Sequence, residues 1–363
     1  MKRIEKSEFS IMTDMLIILI VISVLAVFYY GLRAFLILLI SSAVCFAVDR
    51  LCLKLCGKKN IRNDISAVLT GLVIALMLPA SVPYYIIVIA DIFAIVIGKH
   101  AFGGLGHAVF NNSAVGFLFV ALCFPEYVLS YPKPFTYISV GETLNPVELY
   151  PSMTKSILST DTSIVSVMDM LIGKFNGPMG TSCMIVLLIS AFILIFRRSI
   201  SAISFFTQIC AVFGFTFFYA DFDIIYTLHI LSSGMFVFGI LFLACDYSTI
   251  PKTKSSRFIY GIIVALLTIV FHFYAKNENA IVYAVIIAAP IGIELDKRAI
   301  SFADMVENNR GIMFKINQKF NKNLSNVNET LNLVNDGSDS NETTDRITIH
   351  SRDERIFTEK TDI

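Results

Sequence analysis

The chain has 363 residues, of which 56% are hydrophobic and only 16% charged, and its mean hydropathy is +0.72. That composition excludes an ordinary soluble globular protein and describes a chain that meets mostly lipid and its own side chains. The formal net charge of +1 is too small for a nucleic-acid-binding surface, so no nucleic acid is expected among its partners.

A membrane span must bond every backbone group internally, so long apolar runs bounded by Lys, Arg, Gly or Pro are read as helices. In chain order they cover Met15 to Leu32, Ala34 to Val48, Ile65 to Leu78, Val82 to Ile97, Ala108 to Phe124, Cys183 to Phe196, Ala202 to Ala220, Ile224 to Ala244, Phe258 to Tyr274 and Ala280 to Ile293. The expected fold is an all-α polytopic membrane protein with about ten transmembrane helices. Several runs are shorter than the roughly 20 residues that span comfortably, so they extend into their flanks or sit surrounded by protein. The first run follows Lys2, Arg3 and Lys6 but lacks a small-residue cleavage site, so it is expected to stay as an anchor.

Basic residues outside the tail divide 16 to 5 if the N-terminus is cytoplasmic. The positive-inside rule then places both termini in the cytoplasm and the long segment 125–182 outside the cell membrane. That segment separates a first five-helix half, 15–124, from a second, 183–298, with a short N-terminus, 1–14, and a polar tail, 299–363. An odd number of helices per half makes the halves inverted. Thr70-Gly71 and Ser233-Gly234, each in the third helix of its half, are the local sign of a repeat. In the tail, Met313, Ile316, Phe320, Leu324, Val327, Leu331 and Val334 recur at helical spacing, an amphipathic stripe for a membrane surface or a partner protein; residues 336–363 are expected to be disordered.

Chemistry concentrates in "IGKHAFGGLGHAVFNNSAVG", residues 97–116. Gly103, Gly104 and Gly106 oppose a continuous helix and let backbone approach a ligand; Phe110, Asn111 and Asn112 suit stacking on and hydrogen bonding to a flat heterocycle. The bland alternative is close helix packing. Asp91 lies mid-run, where insertion costs roughly 2.5–3.5 kcal/mol, and it is read either as part of an ion path or as an acid bonded to a neighbouring helix's hydroxyls. Asp246 follows the eighth run and is read as a cap or a second ion-path residue. The histidines are dispersed, so no metal or haem site is expected, and the cysteines read as packing residues.

The strings "NDISAVLTGLVIALMLPASVP", "FAIVIGKHAFGGLGHAVFNNSAVG", "DMLIGKFNGPMGTS" and "LFLACDYSTIPKTKSSRFIYGI" resemble the D subunit of Rnf-type electron-transport complexes and the related B subunit of sodium-pumping NADH:quinone oxidoreductases. The resemblance covers most of residues 10–298. It implies a ten-helix bundle relaying electrons through flavins, one FMN esterified to an outer-side threonine by an external flavin transferase and a second flavin, such as riboflavin, near the glycine-asparagine segment. It matches Asp246 to a family acid. Asn112 and Ser113 stand where the family has Pro-Ala, and Thr181 stands where it has glutamate. The family's attachment string is absent; "ELYPSMT" offers Thr154 as acceptor and "STDT" offers Thr162.

The leading function is therefore a membrane subunit of an Rnf-type complex, with other subunits as partners and electron flow coupled to Na+ or H+ movement. The alternatives are a secondary transporter of the inverted-repeat type and a non-redox scaffold that has lost its covalent flavin. The chain carries no four-cysteine cluster motif and no dinucleotide-binding fingerprint, so it is not expected to be the electron entry point.

Overall fold

The computed structural model describes residues 7–57, 64–104, 106–139, 149–151, 167–232, 235–276 and 279–302, with the single residues 305 and 318. Residues Met1–Ser301 form one compact unit and Phe302–Ile363 another. The amphipathic stripe expected over residues 313–334 and the tail beyond it lie outside the described residues, apart from Gln318.

The first half begins with α1 (Glu8–Tyr30), capped by the Ser7 side chain. A single-residue turn at Gly31 leads to α2 (Leu32–Leu55). The half continues with α3 (Ser66–Met77), α4 (Tyr84–Phe93), which runs on as a π-helical segment to His100, and α5 (Asn112–Cys123). The connecting segment holds α6 (Pro125–Val128), α7 (Val167–Ile172) and a two-residue antiparallel pair, β1 (Ser130–Tyr131) with β2 (Tyr150–Pro151). The second half comprises α8 (Met184–Phe196), α9 (Ala202–Tyr219), α10 (Ile224–Ser232), α11 (Phe236–Gly239, π-helical on to Ala244), α12 (Lys254–Phe273) and α13 over residues 280–302.

The protein is an all-α polytopic membrane protein. Among the described residues four helices, α1, α2, α9 and α12, are long and apolar enough to cross a membrane singly, and α10 with α11, bent by 55° at the break between them, passes the same test when the pair is taken as one span. Counting that bent pair once, five apolar helical segments precede the connecting segment and five follow it among the described residues. The halves enter from opposite ends. Asp14, early in α1, accepts from Arg197 Nε at 2.8 Å and from the Ser199 hydroxyl, both just past the end of α8, so the first helices of the two halves run antiparallel.

Three boundaries differ from the apolar runs. α1 starts at Glu8 and α2 continues to Leu55, because polar residues at helix ends lengthen a span without entering the hydrocarbon. Residues 108–111 are not helical, since α5 begins only where Asn111 caps it. Residues 175–182, assigned from sequence to the external segment, are instead packed into the bundle, with Phe175, Met179, Thr181 and Ser182 buried.

The short helices explain that insertion. At 1.5 Å per residue, the 12-residue α3 is about 18 Å long, well short of a bilayer's roughly 30 Å core. Its remaining depth is filled by non-helical residues 78–83, whose carbonyls need donors. Arg33, 1% exposed, supplies them. Its Nε donates to the Ala80 carbonyl at 2.8 Å, and Nη2 to the carbonyls of Ser81 and Val82 at 3.2 Å each. Its Nη1 reaches Ser139 of the connecting segment, and its guanidinium lies 5.2 Å from the Tyr84 ring centre. The Met179 amide donates to the Leu78 carbonyl at 3.2 Å, tying residues 177–182 to the end of α3.

Arg33→Met should therefore strand several buried carbonyls, at about 1–3 kcal/mol for each left unbonded. We expect a thermal unfolding midpoint in detergent lower by several degrees. Arg33→Lys should recover only part of the loss, because an ammonium cannot span the same fork of acceptors.

Candidate functional site

Beyond His100 the chain makes the glycine-rich break. Gly103, Gly104 and Gly106 have φ of 113°, 95° and 85°, a region costly for any residue with a Cβ. The break brings the chain back to start α5 with Asn111 as its cap. The Asn111 side-chain oxygen accepts from the Ala114 N–H at 3.0 Å. Its amide nitrogen donates to Asp246 Oδ2 at 3.2 Å and to the Phe242 carbonyl at 3.3 Å. One side chain thus closes a helix N-terminus and joins the two halves.

A cleft opens at this junction. Its apolar walls come from Met15 and Leu19 of α1, Leu69 and Val73 of α3, and Phe242. Its polar lining comes from Ser66, Thr70, Lys99, Asn111, Asn112, Ser113, Asp246, Tyr247 and Ser248, with Gly104 and Gly106 also on the lining. Its cavity volume is about 50 Å³, below the roughly 300–1,000 Å³ of small-molecule sites, so a ring-sized ligand would have to part the walls. Asn112 Oδ1 is buried and has no hydrogen-bond partner. A buried amide oxygen left in that state costs free energy that a ligand N–H would recover.

The base of the cleft is held by a charge cluster that sequence reasoning missed. Lys99, counted from sequence as one more basic residue on the cytoplasmic side, is 3% exposed. Its ammonium meets Asp49 of α2 at 2.9 Å and Asp64 ahead of α3 at 3.0 Å, and donates to Ser66 Oγ at 2.9 Å. His100 Nε2 lies 2.8 Å from the same Asp49 oxygen. The signal available in the sequence was the pair of acids, Asp49 and Asp64, flanking a stretch of basic residues at the membrane boundary. Burial alone would raise the Asp64 carboxyl, but Lys99 and the hydrogen bonds from Ser66 outweigh it and hold it below the usual carboxylate range. Burial pushes Asp246 up to about 6, against the hydrogen bonds from Ser248, the Tyr247 backbone and Asn111.

Of the residues singled out from sequence, Gly104, Gly106, Asn111 and Asp246 meet at or beside the cleft. Gly103 shapes the break from behind it, packing against His107, and Phe110 meets Phe102 edge-on at 5.4 Å instead of lining the walls. Asp91 stands apart, fully buried in α4 and 2.7 Å from the Ser41 hydroxyl of α2. Thr154 and Thr162 lie outside the described residues.

The sequence profile of the NQR2, RnfD, RnfE family matches residues 3–297. The chain belongs to that family. Among its curated relatives is the D subunit of the Na(+)-translocating ferredoxin:NAD(+) oxidoreductase complex of Acetobacterium woodii, 27% identical over 289 residues, or 78% of this chain and 87% of the relative. The D subunit of the proton-translocating ferredoxin:NAD(+) oxidoreductase complex of Clostridium ljungdahlii is 24% identical across 81% of this chain and 91% of its own length. The D subunit of the ion-translocating oxidoreductase complex of Methanosarcina acetivorans is 25% identical across 72% and 80%. Asn112, the first helical residue of α5, occupies a position at which proline is well suited to start a helix, and it adds the unpartnered acceptor.

Lys99→Met should leave Asp49 and Asp64 buried without their cation and cost about 3–5 kcal/mol of stability, read as a lowered unfolding midpoint. The two perturbed acids have opposite signs in a pH series. The contribution of Asp64 is present at neutral pH and is lost as pH drops below about 4. Asp246, with its folded value raised to about 6, adds stability as pH falls through that value. Asp246→Asn should therefore abolish the gain in unfolding temperature between about pH 7 and pH 5, and Asp64→Asn should blunt the loss below about pH 4.

Proposed function

We propose that this chain is a membrane subunit of an Rnf-type ion-translocating electron-transport complex, that its cleft takes the ring of a noncovalently bound flavin, and that electron passage is coupled to Na+ or H+ movement. Membership of the NQR2, RnfD, RnfE family supports the complex, as do relatives named as the D subunits of ion-translocating oxidoreductases. The observation that carries the flavin reading is the unpartnered Asn112 Oδ1 in an apolar-walled cleft at a helix N-terminus. The edge of an isoalloxazine ring offers an N–H between two carbonyls; a turn of the Asn112 side chain away from Gly98 would let its oxygen accept from it, with the Thr70 and Ser113 hydroxyls also on the cleft lining.

The chain's own groups would act by positioning and by electrostatics. Met15, Leu19 and Phe242 would exclude water from the ring faces. The positive end of α5 would favour electron density at the ring edge nearest it. Lys99, the cation that lines the cleft among the described residues, is held by Asp49 and Asp64. With that cation neutralised the cleft suits a neutral ring better than a phosphate, favouring a riboflavin-like ligand over FMN. A bound flavin supplies the electron-transfer chemistry itself.

A covalent FMN would sit on the opposite face, on Thr154 or Thr162 of the long connecting segment, placed there by an external flavin transferase. The positive-inside count supports a cell-membrane protein with both termini and the cleft cytoplasmic and that segment outside. The complex's other subunits would deliver and remove electrons.

Gently solubilised protein should show flavin absorbance, and Asn112→Leu should weaken flavin retention roughly tenfold, about one hydrogen bond's worth. Fluorescence of the denatured protein in a gel, after co-expression with the transferase, should be lost in Thr154→Val or in Thr162→Val. A protein with neither flavin would defeat the electron-relay reading and leave the scaffold.

A further inference from the structure

Asp91 is completely buried near the middle of the first half, and one of its oxygens sits in a chain of three. Its Oδ1 is 2.7 Å from Ser41 Oγ, and that same Ser41 oxygen is 2.8 Å from the Gly71 carbonyl oxygen. Both separations are hydrogen-bond lengths, so each needs a proton between its oxygens. A serine hydroxyl has one proton and a peptide carbonyl has none. Ser41 can therefore give a full-strength hydrogen bond to Asp91 or to Gly71, but not to both at once. The arrangement is complete only when a second proton sits on Asp91, which donates to Ser41 while Ser41 donates to Gly71. With an ionised Asp91, one of the two contacts would be a bare approach of oxygen to oxygen.

Two further observations agree. Asp91 Oδ2 has no hydrogen-bond partner. As the carbonyl oxygen of a neutral acid it forgoes one bond; as half of a carboxylate it would be an unpaired buried charge. No cation among the described residues is placed to compensate for that charge. Of the elements packed against α4, α3 and α5 carry no acidic or basic side chain. The charges of α2 sit towards its ends: Arg33 and Asp49 are each eight residues from Ser41, about 12 Å along the axis, with Arg50 and Lys54 beyond Asp49. The π-helical continuation of α4 carries Lys99 and His100, both engaged with Asp49. The Cys45 thiol of α2 is the remaining titratable group that faces Asp91, and it adds a weak S–H hydrogen bond to the carboxyl. The close approach of α2 to α3 depends on Gly71, where a Cβ would fall 2.7 Å from the Ser41 carbonyl oxygen.

We propose that Asp91, Ser41 and the Gly71 carbonyl form a proton-binding site, with Asp91 as the carrier and Ser41 as the relay. Loss of the proton from Asp91 to water breaks no covalent bond except O–H. It frees Ser41 to rotate its hydroxyl onto the carboxylate, which releases the Gly71 carbonyl and so removes one tie between α2 and α3. Uptake of a proton from water reverses both steps. The site is thus a protonation-dependent hydrogen-bond switch between α2 and α3, and α3 also walls the cleft. Its use as the proton store for ion coupling rests on the electron-relay reading; its protonation does not.

The test is infrared spectroscopy of the full chain in lipid nanodiscs at neutral pH. The wild-type minus Asp91→Asn difference spectrum should contain the C=O stretch of a protonated carboxylic acid, and Ser41→Ala should shift that band by removing its partner. Replacing choline chloride with sodium chloride at fixed pH should leave it in place. Carboxylate bands in place of the acid band would overturn the proposal, as would loss of the acid band on adding sodium, which would make the three oxygens a cation site. If Asp91→Asn fails to fold, an acid-band region unchanged by Ser41→Ala would overturn it equally. None of these readouts needs flavin or the rest of a complex, so a colourless protein would end the electron-relay reading and leave this test standing.

Discussion

Backbone that leaves the helix within a hydrocarbon layer has no water to bond, so the protein itself must satisfy every exposed N–H and C=O. This chain breaks its helices repeatedly, and each described break brings its own answer. Arg33 covers the carbonyls of residues 80–82 at the end of the short α3. Thr181 and Ser182 turn their hydroxyls back onto the carbonyls of Pro178 and Met179, and the Met179 amide bonds Leu78, so two breaks at one end of the bundle support each other. At the other end Asn111 caps α5 and takes up the Phe242 carbonyl at the end of α11. The cleft exists because these breaks are stable; a continuous α4 and α5 would fill it.

The same scarcity of water governs the buried acids, and the protein deals with them in distinct ways. Asp14 meets a guanidinium and a hydroxyl from the second half and ties the two halves together. Asp49 and Asp64 share one ammonium, Lys99, which fixes α2, the start of α3 and the continuation of α4 around the floor of the cleft. Asp91 has a serine and a cysteine thiol and, among the described residues, no cation beside it, the arrangement a neutral acid satisfies. The first two are rigid ties whose removal costs stability. Under the proposed switch, the third would change state by moving one hydrogen bond between α2 and α3.

These arrangements divide the work between the two ends of the molecule. The end carrying Asp49, Asp64, Lys99 and Asp246 combines a polar floor with apolar walls, the usual composition of a site that orients a flat ligand. The end carrying Arg33 and the 177–182 insertion is closely packed, with Arg33 and the Met179 amide bonding its loop carbonyls. A flavin at each end would make the bundle a scaffold that sets distances between redox groups, with the halves held together by Asp14–Arg197 at one point and Asn111–Asp246 at another.

Much of this was legible in the amino-acid order. Ten apolar runs, the glycine break and the odd number of helices per half follow from local properties, because apolar length measures membrane depth and a positive φ demands glycine wherever the rest of the chain lies. The meeting of Asn111 with Asp246 was not legible, since 135 positions separate them and only the packing of two halves brings them to 3.2 Å. Nor were the roles of Arg33 and Lys99. Both looked like ordinary charges at helix ends, and only the fold reveals that one faces stranded carbonyls and the other two acids. The sequence alone determined where the chain enters lipid and where its helices must stop. The tertiary structure decided which polar groups find partners and which, like Asn112 and Asp91, are left with an unmet oxygen, because that depends on distances between helices that no local pattern encodes.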